Sequence, residues 1–95
     1  MAIKFGIYRH YKGKDYLVYG QAVLSGTEDG DRKNFIEYLP LWGDMLPTIR
    51  PLDEFLGAVQ VDEQKVARFQ LVREIPEKEA ILTLLMYRSR VLPDS

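Results

Sequence analysis

Gly6-Ile7-Tyr8-Arg9-His10-Tyr11-Lys12-Gly13-Lys14-Asp15-Tyr16-Leu17-Val18-Tyr19-Gly20 is the stretch on which the fold turns. It holds four of the six tyrosines and the only histidine. Residues 3 to 11 and 16 to 24 are rich in Ile, Val, Tyr and Phe, which suit a pleated, half-buried surface. Between them Lys12-Gly13-Lys14-Asp15 supplies a glycine where a tight turn needs positive φ. The spacing predicts an antiparallel hairpin. Strand alternation puts Tyr8 and His10 on one face, with Ile7, Arg9 and Tyr11 on the other. Ile7 belongs in a core, so Tyr11 is expected to be partly core, and Tyr8 with His10 to line an outer or groove side. On the returning strand Tyr16 and Val18 share a face opposite Leu17 and Tyr19.

Outward from the hairpin, Ser25 to Asn34 is small, polar and twice glycine-punctuated, and reads as a loop. Phe35-Ile36-Glu37-Tyr38-Leu39 resumes a strand, and Pro40 confines its end to an edge or a bulge. Leu46 to Arg50 is a short strand, with Arg50 held extended by Pro51. Pro51-Leu52-Asp53-Glu54-Phe55 supports one helical turn, of 3₁₀ or α type: proline suits a helix start and the two acids suit the dipole. Ala58 to Val61 and Val66 to Val72 predict a second hairpin around Asp62-Glu63-Gln64-Lys65. From Pro76 the pattern changes. Glu77 and Glu79 precede Arg88 and Arg90, and Ile81, Leu84 and Leu85 recur at i, i+3 and i+4, with Met86 widening the stripe. Residues 76 to 91 are therefore a predicted amphipathic helix that packs on the strands or on a second copy. The expected organisation is a mainly β, antiparallel barrel or strongly curved sheet over 1–73, with a helical extension over 74–95.

The chain has 95 residues, 46% hydrophobic and 28% charged, as in ordinary globular proteins. One domain of this size hides roughly two-thirds of its unfolded surface. With no cysteine, disulfides, thiolate metal sites and cysteine nucleophiles are excluded. The N-terminal apolar run is too short for a signal peptide, and no stretch approaches the roughly 20 apolar residues of a membrane span. A soluble, cytoplasmic protein that does not engage membranes is expected. A net charge of −1 argues against a dedicated duplex-DNA binder. The charge is uneven: Lys4, Arg9, Lys12 and Lys14 face only Asp15 in the first 20 residues.

Few residue constellations point to catalysis. A lone histidine such as His10 can act as a base or pH switch, but no second catalytic group stands beside it in the sequence. Ser25, Ser89 and Ser95 lie in no nucleophile-elbow context, and no glycine-rich phosphate loop is present. Glu28, Asp29 and Asp31 lack the alternating ligands and closing glutamate of a calcium loop. No cofactor or metal is expected. Tyrosines give large contact area at low entropic cost, although they fill strand positions in any case. Trp42, in the connection after Pro40-Leu41, is either a core plug or a binding anchor. The Arg50 guanidinium can stack on a ring or grip a carboxylate or phosphate, or pair structurally with Glu37 or Asp53. The candidate ligand-binding residues are Tyr8, His10, Tyr16, Trp42 and Arg50.

Gly6, Tyr8-Arg9-His10-Tyr11-Lys12-Gly13, Tyr16, Tyr38, Leu41-Trp42-Gly43, Arg50-Pro51-Leu52, Phe55, Val61 and Arg68-Phe69 follow one another in a pattern that resembles the bacterial family called domain of unknown function 1653. The resemblance implies an SH3-like small β-barrel and no established activity. Ala67 departs from the family's usual proline, and Glu63-Gln64 replaces a usual glycine in the last turn. The function expected is a non-catalytic binding module that uses an aromatic and basic groove to hold a protein or peptide. The alternatives are single-stranded nucleic-acid binding through the basic, tyrosine-rich hairpin and, behind it, a small enzyme built on His10, Tyr8 and Arg50. The chain is expected to be a monomer, or a homodimer through its C-terminal helix.

Overall fold

The computed structural model describes residues 3–23 and 34–91, with side chains through Ser89. Along the chain run β1 (Gly6–His10), β2 (Asp15–Val23), β3 (Asn34–Pro40), β4 (Thr48–Pro51), the single turn α1 (Leu52–Phe55), β5 (Ala58–Val61), β6 (Gln64–Ala67), β7 (Phe69–Glu74) and α2 (Glu77–Val91). Among the described residues the fold is mainly β, every strand pair is antiparallel, and the one long helix comes last. The loop expected at residues 25–34 lies almost wholly outside the described residues.

Five strands form one sheet in the order β4-β3-β2-β1-β7, while β5 and β6 pair only with each other. No closed barrel is found among the described residues. Closure would need β4 to pair onward, but α1 and Gly57 carry the chain out of the sheet, and β4 and β7 remain outer strands. The strand expected over residues 66–72 is likewise two strands. Its break is Arg68, whose N–H donates to Gly57 O (3.0 Å) and whose carbonyl accepts from Tyr11 N–H (2.9 Å). Arg68 is thus the step from the small hairpin to the main sheet.

Gly6 is required where β1 meets β7. Its φ is +141°, and an added Cβ would lie 2.1 Å from the Arg73 carbonyl oxygen. The register slips between Ile7 and Tyr8, a bulge that sharpens the local twist. In the β5–β6 turn Asp62 (φ 50°) and Glu63 (φ 70°) are both left-handed, the geometry a two-residue hairpin demands.

The sheet is covered on both faces. On one, Ile7, Leu17, Tyr19 and Leu39 pack with Ile75 and Ala80, joined by Leu84 and Tyr87 of α2. On the other, Tyr8, Val18, Ile36, Tyr38, Phe55 and Phe69 form a second cluster. This corrects the expected assignment of the first strand. Tyr8 is buried at 6% exposure and Tyr11 is exposed at 39%. With α2 on one side and α1 on the other, alternation leaves no dry-versus-wet choice within β1, and the strand ends at His10 before Tyr11 could be held. The helix stripe is also redistributed. Leu84 packs inward, whereas Ile81, Leu85 and Met86 are exposed together with Leu82. Ala80, Leu84 and Tyr87 recur at i, i+4 and i+7 and form the inward face. No described helix is long and apolar enough to cross a membrane.

Candidate functional site

The second core face surfaces as a run of rings. Phe69 opens β7 and lies flat on Phe55 of α1. It meets Tyr16 and His10 in T-shaped contacts, with ring centres 5.4 Å and 5.0 Å apart. Tyr16 continues to Trp42 at 6.1 Å in an edge-on contact. Register explains the convergence: Tyr16 pairs with Pro40 on β3, two residues before Trp42, and His10 pairs with Phe69. Tyr16, His10 and Arg50 are half-buried, while Trp42 is exposed at 44%. Tyr8 joins from below through Phe55, ring centres 5.2 Å apart, and its hydroxyl donates to the Lys4 carbonyl. Burial, reinforced by Glu74, holds the Tyr8 hydroxyl above its ordinary pKa.

Cations sit on these rings. The Arg50 guanidinium lies 5.8 Å from the Phe69 ring centre, the Lys14 ammonium 5.4 Å from Trp42, and the Lys12 ammonium 5.8 Å from Tyr11. Contacts of this kind favour aromatic faces that are partly stripped of water. Arg50 Nε also donates to Tyr38 Oη (3.3 Å), and Nη1 reaches Glu54 at 3.6 Å. The carboxylate that reaches Arg50 is Glu54 of α1, not the expected Glu37 or Asp53. On β1 and β2, Arg9 pairs with Asp15 through two hydrogen bonds of 2.8 and 3.3 Å. That pair raises the arginine pKa and lowers that of the carboxylate.

His10 Nδ1 accepts from Lys12 N–H at 3.2 Å. The ring is held below its ordinary pKa by partial burial, then by the charges of Arg68, Lys12 and Arg50. Arg68 is the residue that sequence reasoning missed. Its Nε is buried and has no hydrogen-bond partner, although a guanidinium N–H ordinarily finds one. Phe69 was missed as well. Both stand in the Arg68-Phe69 pair of the family pattern, and that is the signal that could have found them. An open cavity of about 360 Å³ lies beside His10, lined also by Tyr11, Gly13, Val66 and Gln70. Among the described residues no three His, Asp or Glu side chains are grouped to hold a metal ion. The arrangement can stack a planar or apolar group and neutralise an acidic one.

The family model for proteins of unknown function DUF1653 matches residues 6–71, the span from β1 into β7 that builds this surface. The chain belongs to this family. A crystal structure of a DUF1653 protein from Bordetella bronchiseptica is similar, with a TM-score of 0.61 and 26% identity over 78% of this chain and 92% of that one. No curated protein matches the chain. The DUF1653 match ends before α2, so the helix lies outside the matched segment.

Proposed function

We propose that this DUF1653 protein is a non-catalytic binding module whose ligand is an extended, acidic segment of a protein partner. Trp42 and Tyr16 supply the apolar contact, Arg50 and Arg68 the charge, and His10 the floor between them. One observation carries the reading: Arg68, whose Nε is buried and unpartnered, directly precedes Phe69, the ring over which the Arg50 guanidinium already sits. A donor left without a partner gains most from an incoming acceptor. The reading also treats the sheet as an SH3-like barrel left open. The return of β7 beside β1 brings the first and last main-sheet strands together and supports that view.

Amide and indole NMR titration tests it, with acidic peptides carrying one aromatic residue, neutral analogues and oligothymidylate. Shifts centred on Tyr16, Trp42, Arg50 and Arg68 with the acidic peptides are expected, and Trp42→Ala should weaken binding by about tenfold or more. Shifts that bypass these residues for every probe overturn the reading. Single-stranded nucleic acid is the second reading, favoured by Lys14 over the exposed Trp42. It requires a steep loss of affinity with salt for the oligonucleotide.

A further inference from the structure

The open cavity of about 360 Å³ beside His10 lies between the β1–β2 turn and the β5–β6 hairpin. Tyr11, Val61, Val66 and Ala67 give it apolar walls. Tyr11 and Val61 keep 39% and 38% of their surface in water, so an occupant has apolar area to cover. The volume is at the small end for ligand sites and suits one branched or aromatic side chain.

His10 joins this cavity to an anion-binding chemistry. Its Nδ1 accepts from Lys12 N–H, so the neutral ring carries its proton on Nε2 and offers a donor there. The charges that act on the ring are those of Arg68, Lys12 and Arg50, all cations. Arg50 has Glu54 at 3.6 Å, whereas Arg68 and Lys12 have no carboxylate partner among the described residues. Arg9 also borders the cavity, but Asp15 holds it. An apolar cavity and an unbalanced positive charge thus meet at one residue. An internal aspartate or glutamate satisfies only the charge, because its carboxylate ends its own side chain. The last residue of a chain satisfies both, since its α-carboxylate and its side chain branch from one carbon. The rings continue from His10 to Tyr16 and from Tyr16 to Trp42, each step 6.1 Å between centres, and give the preceding residues a surface to lie along.

We propose that the cavity beside His10 holds the apolar side chain of a partner protein's C-terminal residue, with its α-carboxylate set against Arg68, Lys12 and the His10 donor. The inference rests on the binding-module reading and narrows the acid to the chain end.

Methyl and indole NMR titration of the full chain tests it with three peptides of one acidic sequence ending in phenylalanine: the free acid, the C-terminal amide, and the free acid lengthened by two glycines. The free acid should shift the Val61 and Val66 methyls, and the other two should each bind about tenfold or more weaker. Ala67→Phe, which fills the cavity from an exposed position, should weaken the free acid by a similar factor. Lys12→Gln should weaken it about threefold, as for a surface charge, and keeps the test decisive should Ala67→Phe fold poorly. A free acid indifferent to both variants overturns the proposal. Phenylacetate that binds as tightly as the peptide overturns the chain end in favour of a small free acid. An amide as tight as the free acid, with Tyr16 and Trp42 still shifting, overturns this inference and leaves the binding-module reading standing. No shift with any peptide overturns both.

Discussion

Phe55 and Phe69 stack with ring centres 4.2 Å apart and planes 8° from parallel. One ring comes from the helical turn after β4 and the other opens β7, so the stack ties the two outer strands of an open sheet across its face. Phe55 is 1% exposed, and Phe69 carries His10, Tyr16 and Arg50 on its remaining surface. Phe55→Ala should cost about 3–5 kcal/mol, the range for emptying a buried aromatic site. Urea denaturation checks it, and a cost below about 1 kcal/mol would show that the stack holds nothing together.

Glu63 occupies a left-handed backbone position at φ 70° where glycine meets no Cβ clash. Glu63→Gly should therefore stabilise the chain by about 1 kcal/mol, the strain released at one non-glycine αL residue less the entropy of a freer unfolded chain. Thermal unfolding of the two proteins decides the sign. A destabilised variant would mean that the Glu63 side chain makes contributions the turn geometry does not reveal.

The His10 ring should titrate below its ordinary 6.5, because partial burial and then Arg68, Lys12 and Arg50 disfavour its charged form. Above pH 6.5 the folded and unfolded chains both carry it neutral, so the group leaves stability unchanged there. As pH falls from 6.5 through the folded value, the unfolded chain takes up the proton first and stability declines. Proton NMR of the ring should give the lowered midpoint, and His10→Gln should flatten the decline in that window. Binding of an acidic ligand beside Arg50 and Arg68 should move the midpoint upward; a midpoint that stays put at saturation argues against an anion at this site.

Ala80 has no exposed surface where α2 meets Leu17 and Tyr19. Ala80→Glu would bury an unpaired carboxylate there and should cost about 3 kcal/mol or more. Hydrogen exchange then separates two modes of failure. Loss of protection confined to residues 77–89 is expected, with β1 and β2 still protected, because α2 supplies one cover of the sheet and no strand pairing.

The local elements were legible in the sequence because covalent geometry sets their periods. Gly13 between two β-rich runs specified the β1–β2 hairpin, Pro51 with two acids specified the turn α1, and the acid-to-base run after Pro76 specified α2. The candidate residues Tyr16, Trp42 and Arg50 could be named from the same patterns. Tertiary structure decided what those residues touch. Whether Tyr8 or Tyr11 is buried depends on covers supplied from residues 55 and 69 onward, and no alternation within β1 encodes them. Arg68 reads as the middle of a strand until Gly57 and Tyr11 claim its backbone from two sides, and the burial of its unpartnered Nε is a tertiary fact with no mark in the local pattern. Spacing along a chain determines which side chains share a face; contact between distant segments determines which faces meet water, and that second decision made the ring-and-cation surface.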